Sequence, residues 1–111
     1  MPPYEMIKKR ADFLSANRGK RFVTPGFILL VHSRRDDSDN IRLGITVTKK
    51  VGNAVVRNRM KRRFRVLAAE YLGDRGRAGA DHILIGRVKG NEKNFAELRG
   101  DFQRALGKLC Q

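Results

Sequence analysis

The chain is short of the groups from which hydrolytic centres and membrane anchors are built. It carries a single cysteine, Cys110, and no tryptophan in 111 residues. One cysteine permits neither an internal disulfide nor a cysteine-cluster zinc site, which fits a reducing cytoplasm. The longest uninterrupted apolar run, Phe27 to Val31, is far below the about 20 residues that cross a bilayer, so no membrane association is expected. The segment before Arg10 mixes charges among its few apolar residues, and no secretory signal is expected there. Only two histidines occur, His32 and His82, each in an apolar context; they predict strand-end structural roles rather than a catalytic one. No Ser/His/Asp, Cys/His or paired-carboxylate arrangement stands out. Asp36, Asp37 and Asp39 cluster with Ser38 and Asn40 as turn residues rather than metal ligands, so neither a catalytic residue nor a metal site is expected on the protein.

Acidic residues are also scarce. Eleven Asp and Glu stand against 25 Lys and Arg, a formal net charge of +14. Such self-repulsion opposes compaction unless a polyanion relieves it. The hydrophobic fraction of 41% is nevertheless that of a folded protein, and the length predicts one domain over residues 1–111.

Ile7, Ala11 and Leu14, at i, i+4 and i+7, predict a first helix over residues 6–17 with Phe13 off its apolar face. Extended segments follow at 21–23 and 27–33. Over 41–48 the alternation places Ile41, Leu43, Ile45 and Val47 on a core face, and Arg42, Gly44, Thr46 and Thr48 on an open one. Residues 54–72 form the strongest helix, with Asn53 as N-cap and Val56, Met60, Phe64, Leu67 and Tyr71 in one stripe. A strand over 82–88 and a last helix after Asn94, announced by a capping box with Glu97, complete an αβββαβα order of α+β class.

Charge is concentrated in this frame. Between Lys49 and Arg65 eight basic residues occur with no acid, +8 of the +14. With the stripe inward, Asn58, Lys61, Arg62 and Arg65 project outward at i, i+3, i+4 and i+7, flanked by Arg57 and Arg59 and preceded by Lys49 and Lys50. A merely solvated face would intersperse acids as i, i+4 partners, and none occurs before Glu70. Cations near a helix N-terminus also oppose its dipole, a cost that a bound phosphate removes.

The run Lys49-Lys50-Val51-Gly52-Asn53-Ala54-Val55-Val56-Arg57-Asn58-Arg59-Met60-Lys61-Arg62-Arg63-Phe64-Arg65 resembles the signature of the bacterial ribonuclease P protein component, with Arg-Asn-Arg at its centre. The resemblance implies a ribosomal protein S5 domain 2-like sandwich with a left-handed βαβ crossover, where the general rule expects a right-handed one. It implies a cytoplasmic bacterial protein that binds the catalytic RNA of ribonuclease P and assists removal of the 5′ leader from precursor tRNA. Magnesium would be held by the RNA, and no obligate protein partner is implied. By similarity Lys49, Lys50, Arg57, Asn58, Arg59, Lys61, Arg62 and Arg65 face the catalytic RNA, while a cleft between the first helix and the open sheet face receives the single-stranded leader. Candidates there are Phe13 and Phe27 for stacking, with Arg42, Thr46 and Thr48 beside them. Where the family often has a further aromatic one turn after Phe13, this chain has Asn17. Two other binding proteins compete: a ribosomal protein, against which the Arg-Asn-Arg signature speaks, and a DNA-binding module, which would place a helix rather than a strand before its recognition helix. A self-sufficient nuclease would need a two-metal carboxylate cluster.

Overall fold

A computed structural model describes residues 2–110. The elements are β1 (Glu5–Met6), α1 (Arg10–Ser15), a 3-10 turn (Ala16–Arg18), β2 (Lys20–Val23), β3 (Phe27–Ser33), β4 (Arg42–Thr46), α2 (Ala54–Arg75), β5 (Ala80–Gly86), a 3-10 turn (Val88–Glu92) and α3 (Phe95–Leu109). The expected α+β order is present, with one short strand added at its start. The five strands form one sheet in the order β1-β4-β5-β3-β2. β5 lies at the centre, parallel to β4 and antiparallel to β3.

The pleat divides the sheet into two faces. Leu29, Val31, Leu43 and Leu84 pack against α2 and α3, whose inner stripes supply Met60, Phe64, Leu67, Leu72, Leu98, Phe102 and Leu106. Both long helices begin as their sequences dictate. Asn53 Oδ1 accepts the Val56 amide at 3.0 Å, and Asn94 and Glu97 form a reciprocal capping box.

The opposite face carries a smaller cluster of Ile7, Ala16, Leu30 and Ile83, with Phe13, Ile28 and Ile85 against it. Here the expected first helix needs correction. Met6 belongs to β1, and the amides of Glu5 and Ile7 donate to the carbonyls of Ile41, just before β4, and of Leu43 within it. Ile7 is therefore not helical, and a helical period counted from it selects the wrong side. Leu14 is 54% exposed, and the segment docks instead through Phe13 of α1 and Ala16 of the 3-10 turn that follows. Gly44 makes that docking possible, because a Cβ there would lie 2.7 Å from Phe13 Cε1. β5 also starts two residues earlier than expected, at Ala80, since buried Asp81 and His82 continue its pairing with β3 and β4.

Candidate nucleic-acid interface

The outer face of α2 is a ridge of cations. Asn58, Arg59, Arg62 and Arg65 are exposed, as are Lys49 and Lys50 in the turn before the helix, while Arg57 and Lys61 are partly covered. Among the described residues, no ion pair involves any residue from 49 to 65. Two of the arginines brace the structure. Arg57 Nε donates to the Gly52 carbonyl at 3.2 Å, and Arg63 Nη2 donates to the Lys93 carbonyl at 2.7 Å, fastening α2 to the approach to α3. Burial, reinforced by the neighbouring charge of Arg59, pushes the Arg63 guanidinium below its ordinary pKa. The preceding turn is held by the buried Val51, whose carbonyl accepts from Asn91 Nδ2 at 3.0 Å. Val55, 78% exposed, stands among the ridge cations; the charge count passed over it because it carries none.

The second surface is the open sheet face beside α1. Strand register places Gly44 and Thr46 of β4 next to Ile83 and Ile85 of β5, then Ile28 and Leu30 of β3, then Arg21 and Val23 of β2. Phe13 stands at its edge, half-buried over Gly44. Thr46 lies on the floor as expected, and Thr48 lies past the strand end, exposed, beside Lys50 and Lys89 in a small cleft. Ile28, Ile85 and Val23 complete the floor and were absent from the expected set; the period-2 alternation of their strands was the signal that could have found them.

Two expected leader contacts have different surroundings. Phe27 is fully buried in the core, with its ring edge-on to Phe64 at 5.9 Å and to Phe102 at 6.1 Å. Its parity with Leu29 and Val31 turns it toward the helices, so it offers no face to a base. Arg42 lies on the expected side, but its guanidinium is occupied: Nε and Nη2 each reach Asp81 at 2.7 Å, and Nη2 lies 3.4 Å from Asp12 of α1. Asp81 is also met by Arg34 at 2.9 Å. Burial works to raise the Asp81 pKa, yet the hydrogen bonds and charges of the two arginines outweigh it and hold the carboxyl below its ordinary value. The same bond to Asp81 raises Arg42. Through Arg42, Asp12 ties α1 to β4 and Asp81 ties β4 to β5.

His82 is wholly buried, and its Nε2 accepts the Arg77 amide at 3.0 Å. Burial pushes its pKa down to about 4. Asp36 accepts from Arg34 and from the Ser38 amide, as a turn residue does. Among the described residues, no group of three or more His, Cys, Asp or Glu is placed to hold a metal ion, and no helix is long and apolar enough to cross a membrane.

A family model described as Ribonuclease P matches residues 1–110. The chain belongs to the ribonuclease P protein family. Among relatives named ribonuclease P protein component, that of Erythrobacter litoralis is 58% identical over 101 residues, covering 91% of this chain and 82% of its own. That of Gluconacetobacter diazotrophicus is 48% identical, covering 92% and 88%. Two solved ribonuclease P proteins share the fold. The Staphylococcus aureus protein has a TM-score of 0.81 at 28% identity, covering 96% of this chain and 97% of that one. The Thermotoga maritima protein has a TM-score of 0.80 at 30% identity, covering 94% and 96%. Arg57-Asn58-Arg59 spans the passage from the first to the second turn of α2.

Proposed function

We propose that the outer face of α2 holds the catalytic RNA of ribonuclease P and that the sheet face beside α1 receives the 5′ leader of precursor tRNA. The chain is the protein subunit of a ribonucleoprotein endoribonuclease that acts in tRNA 5′-leader processing. The division between two surfaces is our reading of its residues. The observation that carries it is the run from Lys49 to Arg65, eight cations without one acid partner among the described residues. Unneutralised guanidinium groups in a row match a phosphate backbone, and each phosphate they meet releases counterions. The cleft suits a single strand for a different reason. Its floor of Thr46, Ile28, Ile85 and Val23 is small or aliphatic, and Phe13 offers an aromatic edge for an unstacked base.

In this reading residues 1–111 act as one RNA-binding domain in the bacterial cytoplasm. The catalytic RNA would hold the magnesium ions that the reaction uses, while the protein supplies charge and positions the leader. Reconstitution tests it. Protein alone should not cleave precursor tRNA at any magnesium concentration, and added to the catalytic RNA it should stimulate cleavage most when magnesium is low. Cleavage by protein alone, or equal stimulation at low and high magnesium, would overturn the reading.

A further inference from the structure

A second stretch without acids remains unused. From Phe13 to Arg35 the chain has five cations, Arg18, Lys20, Arg21, Arg34 and Arg35, and no Asp or Glu. Arg34 is neutralised by Asp81 and Asp36. Arg18, Lys20 and Arg35 are exposed, and none pairs with an acid among the described residues. The fold brings these three together with Arg77 around a cleft of about 660 Å³ that also exposes His32 and Ser33. Gly19 accounts for the convergence. It lies so close to the Val31 carbonyl that no Cβ fits, which presses Arg18 and Lys20 against the end of β3. β3 runs two residues past its last pairing with β2 there, Lys20 with Val31. Among the described residues, no Asp or Glu lines this cleft. The larger cleft behind α1 differs, with four acids, Glu5, Asp12, Asp36 and Asp81, to balance its cations.

We propose that this cleft at the corner of β2 and β3 binds backbone phosphates of the 5′ leader beyond the nucleotides held on the open sheet face. Continuity favours the leader over the catalytic RNA. The 3-10 turn carrying Arg18 extends α1, whose Phe13 walls the open face, and the next strand contributes Arg21 and Val23 to that same face. A strand lying across the face and leaving over β2 meets these cations next. The α2 ridge begins at the other end of the sheet. β4 leads into it past Thr46, level with Ile85 and Ile28 at the near end of the leader floor, whereas along β2 that floor runs from Val23 through Arg21 to Lys20 at the new cleft. Traversing the seven residues of β3 separates the two ends by about 20 Å.

The inference rests on the reading of the open face as the leader site, and a leader-length series keeps the two distinguishable. The assembled ribonucleoprotein would be titrated with precursor tRNAs whose leaders run from two nucleotides to roughly a dozen, the span that single-strand domains cover. The triple variant Arg18→Gln, Lys20→Gln, Arg35→Gln should match the parent on short leaders and on binding of catalytic RNA. On long leaders it should lose affinity, with the log-log salt slope shallower by about 2, at about 0.7 per phosphate contact on a single strand. At a fourfold salt increase that slope difference is roughly an 18-fold change in relative affinity. Charge reversal at Lys20→Glu and Arg35→Glu should deepen the long-leader loss alone, and a melting curve for each variant establishes that it is folded. An unchanged long-leader affinity, or an equal loss at every length, overturns the inference. Weakened binding of catalytic RNA would also overturn it, by assigning the patch to that RNA. If the parent itself gains nothing from a longer leader, the leader-site reading fails instead.

Discussion

Replacing Arg59, Arg62 and Arg65 together by glutamine should make the free protein more stable while weakening its hold on RNA. The three are exposed and have no acid partner among the described residues. They stand at helical spacing from like charges: Arg59 with Arg62 and Arg62 with Arg65 at i, i+3, Arg59 with Arg63 and Lys61 with Arg65 at i, i+4. Each such pair opposes the helix by about 0.2 to 0.5 kcal/mol. Taking the lower end for solvent-exposed groups, the four together come to about 1 kcal/mol, which for a domain near 100 residues raises Tm by roughly 4–8 °C. Arg57 is left in place because its bond to the Gly52 carbonyl would confound the result. Melting at about 10 mM salt, where charges interact over roughly 30 Å, and at 1 M, where they interact over about 3 Å, isolates the electrostatic part. The gain should vanish at high salt, since arginine and glutamine have nearly equal helix propensity. Binding to the catalytic RNA should meanwhile lose up to about 0.9 of salt slope per phosphate contact removed. A lower Tm at low salt, or a gain that persists at 1 M, would refute the idea that the ridge is held against its own repulsion.

Acid should weaken the fold before its carboxylates are protonated. The neutral form of His82 is favoured in the folded protein, so stability is complete above the ordinary value of 6.5 and falls by about 3 kcal/mol as pH drops toward 4; urea unfolding across that window should reveal the slope, and a His82→Asn chain that keeps it would refute the assignment. The two phenylalanines should separate in one experiment. Phe27→Ala, in the core, should cost about 3–5 kcal/mol of stability and lower all RNA binding with the folded fraction, whereas Phe13→Ala should weaken precursor tRNA by about 1–3 kcal/mol and spare mature tRNA; equal losses on both tRNAs from Phe13→Ala would remove it from the leader site.

What could be read from the sequence was whatever repeats or is capped locally. The stripe from Val56 to Tyr71, the caps at Asn53 and Asn94 and the alternation through Leu43 each depend on neighbours a few residues away. The acid-free run from Lys49 to Arg65 marked the ridge because charge composition survives without coordinates. What escaped depended on partners far along the chain. Met6 pairs with Leu43, so a segment with helical spacing is drawn into a strand, and Phe13 finds its seat only because Gly44, remote in sequence, has no side chain. Arg42 looked free because Asp81 and Asp12, which occupy it, are 39 and 30 positions away. Phe27 could have been resolved by parity alone, since Leu29 and Val31 share its side of the strand.

The strand order carries a consequence for how the chain is made. β3 and β4 follow one another in sequence but do not touch as neighbours; β5 lies between them. A ribosome delivers the chain from its N-terminus, so β3 and β4 emerge with their inner edges bare, and the strand that joins them arrives only after the whole of α2. Loop closure of this length slows folding, and unpaired edges invite wrong partners in the interval. A nascent chain released before Gly86 has no means of completing its sheet.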